Sequence, residues 1–228
     1  MFSVICPTMW RSHALDIMIG RQKILDNPLI GELLLINNDP SKTRVLKHPK
    51  IRTIYSGPNI FVNPAWTYGV SQSKFDKICF LSDDTIFHTN IFEQINEYII
   101  PDNGIFGIGP NCYIGEMGSI LDKKIELTVA LEPNIKYPRD YGMLMFFHKK
   151  AFCPIPITLK IFVGDLWIYA YNAMKRKVPN YYINNFDFIT KASTTSRSPE
   201  FTQQNLIESQ IVEGIFSDAF GPGIFNLK

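Results

Sequence analysis

Lys77-Ile78-Cys79-Phe80-Leu81-Ser82-Asp83-Asp84-Thr85 is the stretch on which the prediction of the fold depends. Its apolar part, residues 78–81, is too short for a helix, contains β-branched and aromatic residues, and is bounded by polar residues. It therefore predicts a fully buried strand of a mostly parallel sheet. Asp83 and Asp84 follow where this strand ends. Because ligands of open α/β sheets bind outside the carboxyl ends of the strands, the two acids lie where a site is expected.

Two adjacent carboxylates permit two interpretations. Hard cations such as Mg²⁺ and Mn²⁺ bind carboxylate oxygens and leave positions open for phosphate. The alternative is a solvated turn in which the aspartates accept hydrogen bonds from backbone N–H groups. The pair alone leaves both interpretations open, and the segments before it bear on the choice.

The composition is that of a soluble globular protein. The chain has 228 residues, of which 46% are hydrophobic and 19% charged, with a net charge of +2. This small charge does not favour nucleic acid as a partner. The four cysteines lack Cys-x-x-Cys spacing and predict buried, reduced thiols, hence a cytoplasmic protein. The chain starts with a strand rather than a signal peptide, and no apolar run is long enough for a transmembrane segment, although peripheral association with a membrane stays open.

The first half of the chain alternates between strands and helices. The apolar runs that predict strands are residues 2–6, 33–36, 51–55 and 78–81. Ser12 is expected to cap a helix that runs to about Asp26, and another helix begins near Asn63 with Pro64 at its first position. This alternation is typical of an α/β fold with one doubly wound, mostly parallel sheet flanked by helices.

The second half has a weaker pattern. Strands are predicted at residues 104–109, 125–131, 141–147, 181–183 and 186–189. Residues 110–138 resemble an insertion at the edge of the sheet, and residues 192–200 have the composition of a loop. Helices are predicted at residues 91–99, at residues 165–176, and in a C-terminal amphipathic segment followed by a tail. The apolar face of that last helix is predicted to carry Leu206, Ile207, Ile211 and Val212.

Five segments match one protein family in order and spacing. They are Phe2-Ser-Val-Ile-Cys-Pro-Thr8, the strand that ends Ile36-Asn-Asn-Asp39, Asn63-Pro-Ala-Trp-Thr-Tyr-Gly69, Phe80-Leu-Ser-Asp-Asp84, and Tyr141-Gly-Met-Leu-Met-Phe-Phe-His-Lys-Lys-Ala-Phe152 with Val163-Gly-Asp-Leu166. Together they resemble nucleotide-sugar glycosyltransferases of the A fold, and within these the large inverting group known as family 2. The resemblance covers residues 1–190.

The resemblance implies one glycosyltransferase domain over residues 1–228. Residues 1–100 would form the nucleotide-sugar-binding half and residues 101–190 the acceptor and catalytic half. Residues 191–228 would form a loop and the C-terminal helix. Asp84, with Asp83 helping or binding a donor hydroxyl, would hold Mn²⁺ or Mg²⁺ at the donor's diphosphate. The family's usual Asp-x-Asp motif has Ser82 at its first position here.

The same resemblance implies a set of donor-binding residues. Pro7, Thr8 and Arg11 follow the first strand and are expected beside the nucleotide. Asn38 and Asp39 are expected at the base. Their alternatives are ordinary: Arg11 as a surface residue, and Asn38 and Asp39 as turn formers before a proline.

Asn63 also belongs to the implied donor-binding set. Its alternative role is that of a helix N-cap, a position that asparagine favours. Trp66, three residues further on, is expected in the core. Two histidines, His88 and His148, are possible metal ligands, although a lone histidine is more often structural. Lys191 and Arg197 flank the polar loop and would either close over the diphosphate or remain solvated.

Asp165 is the candidate catalytic base. In the resembling family a carboxylate after a glycine opens a helix and takes the proton of the acceptor hydroxyl, as Gly164-Asp165 would here. The helix N-terminus is expected to favour its ionised form. The alternative is that Asp165 only caps the helix, in which case Asp140 becomes the next candidate.

The predicted function is therefore metal-dependent transfer of a sugar from a nucleotide diphosphate sugar to a hydroxyl of a glycan or lipid-linked acceptor, with inversion. The expected base contacts favour a UDP or dTDP donor. One alternative is a nucleotidyltransferase that makes the sugar nucleotide, but that class needs a glycine-rich loop after the first strand, and residues 7–11 contain no glycine. The other is a non-catalytic nucleotide- or sugar-binding protein, which Ser82 keeps open.

Overall fold

The computed structural model describes residues 1–42, 44, 46–115, 118–130, 141–190 and 199–222, without the side chain of residue 200. The strands are β1 (Phe2–Thr8), β2 (Ile30–Asn37), β3 (Ile51–Ser56), β4 (Lys77–Leu81), β5 (Thr85–Phe87), β6 (Ile105–Ile108), β7 (Glu126–Ala130), β8 (Leu144–His148), β9 (Asn180–Asn184) and β10 (Phe188–Thr190). The α-helices are α1 (Ala14–Gly20), α2 (Val62–Gln72), α3 (Ile91–Ile95), α4 (Gly164–Ala170) and α5 (Pro199–Phe220).

Eight strands form the main sheet, in the order β3-β2-β1-β4-β8-β6-β9-β7. The first four are parallel to one another. β8 then runs antiparallel to both of its neighbours, β4 and β6. β9 is parallel to β6, and β7 closes the edge in the antiparallel sense. The predicted fold class, a mostly parallel α/β sheet flanked by helices with a C-terminal helix, is confirmed.

A second, two-stranded sheet ties distant parts of the chain together. β5, which follows the acidic pair directly, pairs antiparallel with β10, so that Thr85 faces Thr190. This pairing brings the region that precedes α5 next to the carboxyl end of β4. The pairing joins residues more than a hundred positions apart. No local sequence pattern predicts it.

Both faces of the central strands β1, β4, β6 and β8 are buried, as the short apolar runs predict. Val4 and Cys6 on β1 point into the cluster that contains the apolar side chains of α1 and α3. Ile5, which points the other way, belongs to the cluster with α2, α4 and α5. In that second cluster Trp66 stacks on Phe80 with their ring centroids 4.6 Å apart. The expectation that Trp66 is a core residue is therefore confirmed.

The helix predicted from Ser12 to Asp26 is shorter than expected. The N-cap is His13 rather than Ser12, although the Ser12 Oγ accepts a hydrogen bond of 3.0 Å from the N–H of Ala14, the first helical residue. The helix ends at Gly20, and Lys23 adopts a left-handed backbone with a φ of 50°. A left-handed residue cannot continue an α-helix. The chain turns there into a short 3₁₀ segment, Ile24–Asp26, whose two apolar side chains are buried.

The strand predicted at residues 141–147 begins three residues late. Tyr141–Met143 forms a 3₁₀ turn, and the strand proper is β8. The Tyr141 hydroxyl donates to the carbonyl oxygen of Ile105 at 2.9 Å. Its ring covers Gly107, where an added Cβ would lie 2.6 Å from the ring. Tyr141 is thus held in the core by contacts that a straight strand would not permit.

The end of the predicted 165–176 helix also differs, since α4 gives way to a π-helical segment, Tyr171–Arg176. The apolar face predicted for the C-terminal helix is wrong for three of its four members. The exposed fractions of Leu206, Ile207 and Ile211 are 62%, 48% and 38%. The side chains of α5 that are buried are Phe201, Glu208, Val212 and Phe216.

The remaining general expectations can be compared with the described residues. β7 lies at the edge of the sheet, as predicted for the 110–138 insertion, and residues 131–138 lie outside the described part. All four cysteines are free and buried. No helix in the described ranges is long and apolar enough to cross a bilayer.

Candidate active site

The carboxyl ends of β1, β2 and β4 meet at one edge of the main sheet, because these strands are parallel neighbours. β8 is antiparallel to β4, so its amino end lies at the same edge. Most of the predicted site residues follow these strand ends: Pro7, Thr8 and Arg11 after or on β1, Asn38 and Asp39 after β2, and Asp83 and Asp84 after β4. The topology therefore places them together.

Asp83 connects the ends of β1 and β4. Its Oδ2 accepts hydrogen bonds from the Thr8 hydroxyl at 2.6 Å and from the Met9 N–H at 3.3 Å. The Thr8 hydroxyl oxygen in turn accepts from the Trp10 N–H at 2.9 Å. Burial, aided by the neighbouring carboxylate, raises the pKa of Asp83 to about 6. Thr8 and Asp83 are thus engaged with each other, and the hydroxyl proton of Thr8 is directed to Asp83.

Asp84 is more deeply buried, with 7% of its surface exposed. Its Oδ2 accepts a hydrogen bond of 3.1 Å from the hydroxyl of Thr190, the last residue of β10. The backbone around it is tightly turned: the Ser82 N–H donates to the Met143 carbonyl oxygen, and the Ser82 carbonyl oxygen accepts from Thr85. Thr190 is a site residue that the sequence reasoning missed.

The acidic pair suits a hard divalent cation in one respect. Two carboxylates provide oxygen ligands of the kind that Mn²⁺ and Mg²⁺ prefer. In the described part of the chain no three His, Cys, Asp or Glu side chains come together as a metal-binding group. A cation at Asp83 and Asp84 would therefore need further ligands, and oxygens of a bound diphosphate are of the right chemical type.

The two histidines considered as metal ligands lie apart from the acidic pair. His148 pairs with Lys77 at the amino end of β4, the opposite edge of the sheet. His88 follows β5, and its Nδ1 lies 3.5 Å from Asp122. Neither arrangement directs an imidazole towards Asp84, and the suggestion that either residue is a metal ligand is not supported by this geometry.

The loop after β2 is held by its own polar side chains. Asn38 Oδ1 accepts a hydrogen bond from the Ile60 N–H at 3.2 Å, which fastens the loop before α2. Asp39 accepts from the Ser41 hydroxyl at 2.5 Å and lies 3.6 Å from the Lys42 ammonium. The Ser41 hydroxyl, together with Lys42, holds the pKa of Asp39 below its usual range. A charged Asp39 carboxylate is therefore present beside the end of β2.

Arg11 lies next to the start of α5. Its guanidinium carbon is 5.8 Å from the ring centroid of Phe201, and that ring packs edge-on against Phe61, 6.1 Å away. Phe61 precedes α2, so one contact chain joins the β1 loop, the α2 entry and the C-terminal helix. The predicted proximity of Arg11 to the nucleotide remains a prediction.

Asn63 has a role that neither sequence interpretation anticipated. It is the second residue of α2 and fully buried, and the N-cap position belongs to Phe61, so the capping alternative is wrong. Its Nδ2 donates to the carbonyl oxygens of Leu159 and Phe162 at 2.9 and 3.2 Å. These bonds place Asn63 beneath the loop that leads to α4, where its amide protons serve the protein itself.

Asp165 lies against the turn that precedes β8. An added Cβ on Gly142 would lie 2.9 Å from Asp165 Oδ2, so the carboxyl group would have to shift if Gly142 carried a side chain. The Asp165 Oδ1 accepts from the Leu166 N–H at 2.9 Å. Asp165 does not cap α4, since the N-cap is Val163 and no side chain bonds there. Burial raises the pKa of Asp165 to about 6, which outweighs the helix effect expected from the sequence.

The close fit of Gly164 against Asn63 leads to a prediction about stability. A Cβ at Gly164 would lie 2.0 Å from Asn63 Oδ1, and both groups are buried. We expect Gly164→Ala to lower the free energy of unfolding by about 1–3 kcal/mol through overpacking. Denaturant-induced unfolding of the wild type and of Gly164→Ala measures this difference in free energy.

Gly214→Ala is the matched control, because nothing lies within 4 Å of a Cβ added there. Gly214 stands inside α5, where alanine favours the helix by about 0.5–1 kcal/mol. The two substitutions should therefore shift the unfolding midpoint in opposite directions. Equal midpoints for Gly164→Ala and the wild type would contradict the packing described here.

Three further residues named from the sequence, Asp140, Lys191 and Arg197, lie outside the described residues. Their expected roles stay predictions.

Comparisons with known proteins identify the fold. No protein-family model matches the chain, and no curated protein sequence matches it. Solved structures do match. A mannosyltransferase from Pyrobaculum calidifontis, PcManGT, in complex with GDP-Man and Mn²⁺ has a TM-score of 0.62 at 11% identity, over 96% of this chain and 63% of that one.

Two other solved structures agree. S. aureus TarS 1–349 in complex with UDP-GlcNAc has a TM-score of 0.56 at 12% identity, over 92% of this chain and 66% of that one. GalNAc-T7 with UDP, GalNAc and Mn²⁺ has a TM-score of 0.57 at 10% identity, over 95% of this chain and 50% of that one. The chain thus spans between half and two thirds of these three proteins. At such identities the likeness establishes the fold, which is the glycosyltransferase A fold.

Proposed function

We propose that this protein is a metal-dependent glycosyltransferase that moves a sugar from a nucleotide diphosphate sugar to a hydroxyl of a glycan or lipid-linked acceptor, with inversion at the anomeric carbon. One observation supports the proposal: Asp83 and Asp84 follow β4, and Asp165 at the start of α4 packs against Gly142 in the turn before β8, whose first residue Leu144 pairs with Leu81 of β4. A cation held by the first two carboxylates and a separate buried carboxylate acting as base would suit inverting transfer.

Asp84 and Asp83 would hold the cation, and the structures in complex with Mn²⁺ favour manganese. When bound, a divalent cation offsets the negative charge that develops on the departing diphosphate. Asp165 would accept the proton of the acceptor hydroxyl as its oxygen attacks the anomeric carbon. With a pKa of about 6, Asp165 is largely ionised at neutral pH and ready for this step.

A non-catalytic nucleotide-binding protein is the second candidate, and Ser82 is the observation that favours it. Ser82 stands where related enzymes have the first acid of their motif, so the cation site has one carboxylate fewer. The two candidates differ in turnover. Release of nucleoside diphosphate from UDP-, dTDP- and GDP-sugars, measured with and without Mn²⁺, supports the enzyme if it depends on Mn²⁺. Binding of these donors without any release supports the second candidate.

The nucleobase can be tested in a thermal-shift screen of nucleoside diphosphates with Mn²⁺. We expect UDP or dTDP to raise the melting temperature more than GDP, because the charged Asp39 carboxylate would accept the pyrimidine N3–H. A ligand at a hundred times its dissociation constant adds about 2.7 kcal/mol to the stability of the native state.

Asp39→Asn should remove this preference, since an amide does not supply the same charged acceptor. Asp76→Asn, at the opposite edge of the sheet, serves as the control and should keep it. A larger shift with GDP in the wild type would overturn the assignment of Asp39 to a pyrimidine. The acceptor and the cytoplasmic location belong to the same proposal, and the free thiols fit a reducing compartment.

A further inference from the structure

Glu208 is a fully buried carboxylate that the proposed chemistry does not use directly. It lies on α5 with 0% of its surface exposed. A buried carboxylate is costly unless hydrogen bonds compensate for the lost water, so its partners indicate its purpose. Its backbone partners lie 46 to 48 residues away along the chain.

Three successive backbone N–H groups donate to Glu208. The Lys160 N–H donates to Oε1 at 2.9 Å, the Ile161 N–H lies 3.2 and 3.1 Å from the two oxygens, and the Phe162 N–H donates to Oε2 at 2.7 Å. Gln204, one turn earlier on α5, also donates to Oε1 at 2.7 Å. Hydrogen bonds to an ionised acceptor are about twice as strong as neutral ones. The Glu208 carboxylate therefore binds the loop of residues 159–162 through the backbone N–H groups of Lys160, Ile161 and Phe162.

Asn63 binds the carbonyl groups of the same loop. Besides the bonds from its side chain to Leu159 and Phe162, its backbone N–H donates to the Lys160 carbonyl oxygen at 3.0 Å. The loop is thus held from α5 through its N–H groups and from α2 through its carbonyl oxygens.

The next residue shows what this support achieves. Val163 has a left-handed backbone, with φ 50° and ψ 26°. That conformation is unfavourable for a β-branched residue and persists only where the surroundings impose it, often at functional sites. Gly164 then packs against Asn63, and Asp165 follows with its carboxyl group against Gly142.

We propose that Glu208 is a positioning residue for the base: by holding residues 160–162 it sets the turn at Val163 and thereby the place of the Asp165 carboxyl group. This inference rests on the proposed function. It makes the C-terminal helix part of the catalytic apparatus, although Glu208 itself touches no reacting atom.

The test is a double-mutant cycle between Glu208→Gln and Asp165→Asn. The glutamine has the size of glutamate, but its NH₂ group faces backbone N–H donors, so the loop loses part of its support. We expect kcat to fall roughly tenfold or more, because small misplacements of a reacting group are costly, while the dissociation constant of the donor stays unchanged. In the Asp165→Asn background Glu208→Gln should cause no further loss.

Equal losses in both backgrounds would show that Glu208 acts on stability alone and would overturn the inference, as would a wild-type kcat for Glu208→Gln. Glu213→Gln, an exposed glutamate on the same helix, is the control and should leave kcat unchanged. If Glu208→Gln does not fold, Gln204→Ala takes its place in the cycle, with an expected loss of about threefold and the same criterion of non-additivity.

Amide hydrogen exchange separates this inference from the proposed function, since it needs no substrate. Glu208→Gln should speed exchange at residues 160–165 and leave the second half of α2, residues 67–72, unchanged. If the wild type turns over no donor, the proposed function is wrong. Faster exchange at residues 160–165 in Glu208→Gln would still show that Glu208 holds this loop. Unchanged exchange at residues 160–165 in Glu208→Gln would overturn the inference, whatever the activity.

Discussion

Replacing Asp165 with asparagine is expected to lower kcat for sugar transfer by on the order of a hundredfold or more, because the amide cannot accept the proton of the acceptor hydroxyl. The fold should survive. The introduced side chain would retain an oxygen to accept the Leu166 N–H, the bond that Asp165 makes at 2.9 Å. The melting temperature and the dissociation constant of the donor should therefore stay near their wild-type values.

The pH profile gives a second reading of the same residue. Burial raises the pKa of Asp165 to about 6, and only the ionised carboxylate can act as the base. The wild-type kcat at saturating donor should accordingly be constant at neutral pH and fall as the pH drops below about 6. Asp83 also has a pKa of about 6, so the comparison is made at saturating Mn²⁺, which favours its ionised form. Under that condition the remaining activity of Asp165→Asn should lack this fall. Tyr141, a neighbouring phenol, is itself buried and stays protonated throughout, since burial raises its pKa well above the usual range.

Near-normal turnover by Asp165→Asn would contradict the assignment, and Asp140 would become the candidate to examine. Asp76→Asn, an exposed aspartate at the opposite edge of the sheet, is the control for the substitution itself. It should change neither kcat nor the pH at which kcat falls.

Replacing Asp84 with alanine is expected to abolish the tightening of nucleoside diphosphate binding by Mn²⁺ and to lower turnover by on the order of a hundredfold or more. Metal stabilisation of a developing charge is worth several kcal/mol, and each 1.36 kcal/mol corresponds to about tenfold in rate. Calorimetry with and without Mn²⁺ measures the first effect. Equal affinities of wild type and Asp84→Ala for UDP in Mn²⁺ would refute the role.

Two variants separate the cation from the local hydrogen bonds. Thr190→Val removes the hydroxyl that donates to Asp84 at 3.1 Å but keeps the carboxylate, so Mn²⁺ should still tighten binding. Asp83→Ala should affect the cation less than Asp84→Ala and stability more. Asp83 joins the ends of β1 and β4 through Thr8 and Met9, and its loss leaves both donors without this acceptor.

Much of the region around Asp39, Asp83 and Asp84 was predictable because it depends on local patterns. Apolar runs mark the buried parallel strands, and in a parallel sheet their carboxyl ends must share one edge. Asp83, Asp84 and Asp39 follow those runs directly, so their common location could be inferred without coordinates. The family resemblance then supplied Asp165, whose distance along the chain from β4 carries no such signal.

The parts that could not be predicted depend on pairings between distant residues. Thr190 reaches Asp84 only because β10 pairs with β5. Asn63 suits a helix N-cap by residue type, and only the packing of the 159–162 loop against α2 shows its actual partners. Hydrophobicity alone does not predict a buried helix face that contains a glutamate. The buried face of α5 nevertheless has helical spacing, at Phe201, Glu208, Val212 and Phe216. The helical spacing would have predicted this buried face if Glu208 had been counted together with the apolar residues.

The order of strands in the sheet has a consequence for how the chain is made. β1 to β4 pair with one another, so residues 1–81 can complete a four-stranded sheet during synthesis. Among the described strands β6 pairs with β8 and β9, and both come later in the chain. A nascent chain that has not reached β8 thus carries an apolar, unpaired β6 beside the open edge of β4, which favours aggregation. The half that carries Asp83 and Asp84 forms early, and the carboxylate of Asp165 joins it only after that interval has passed.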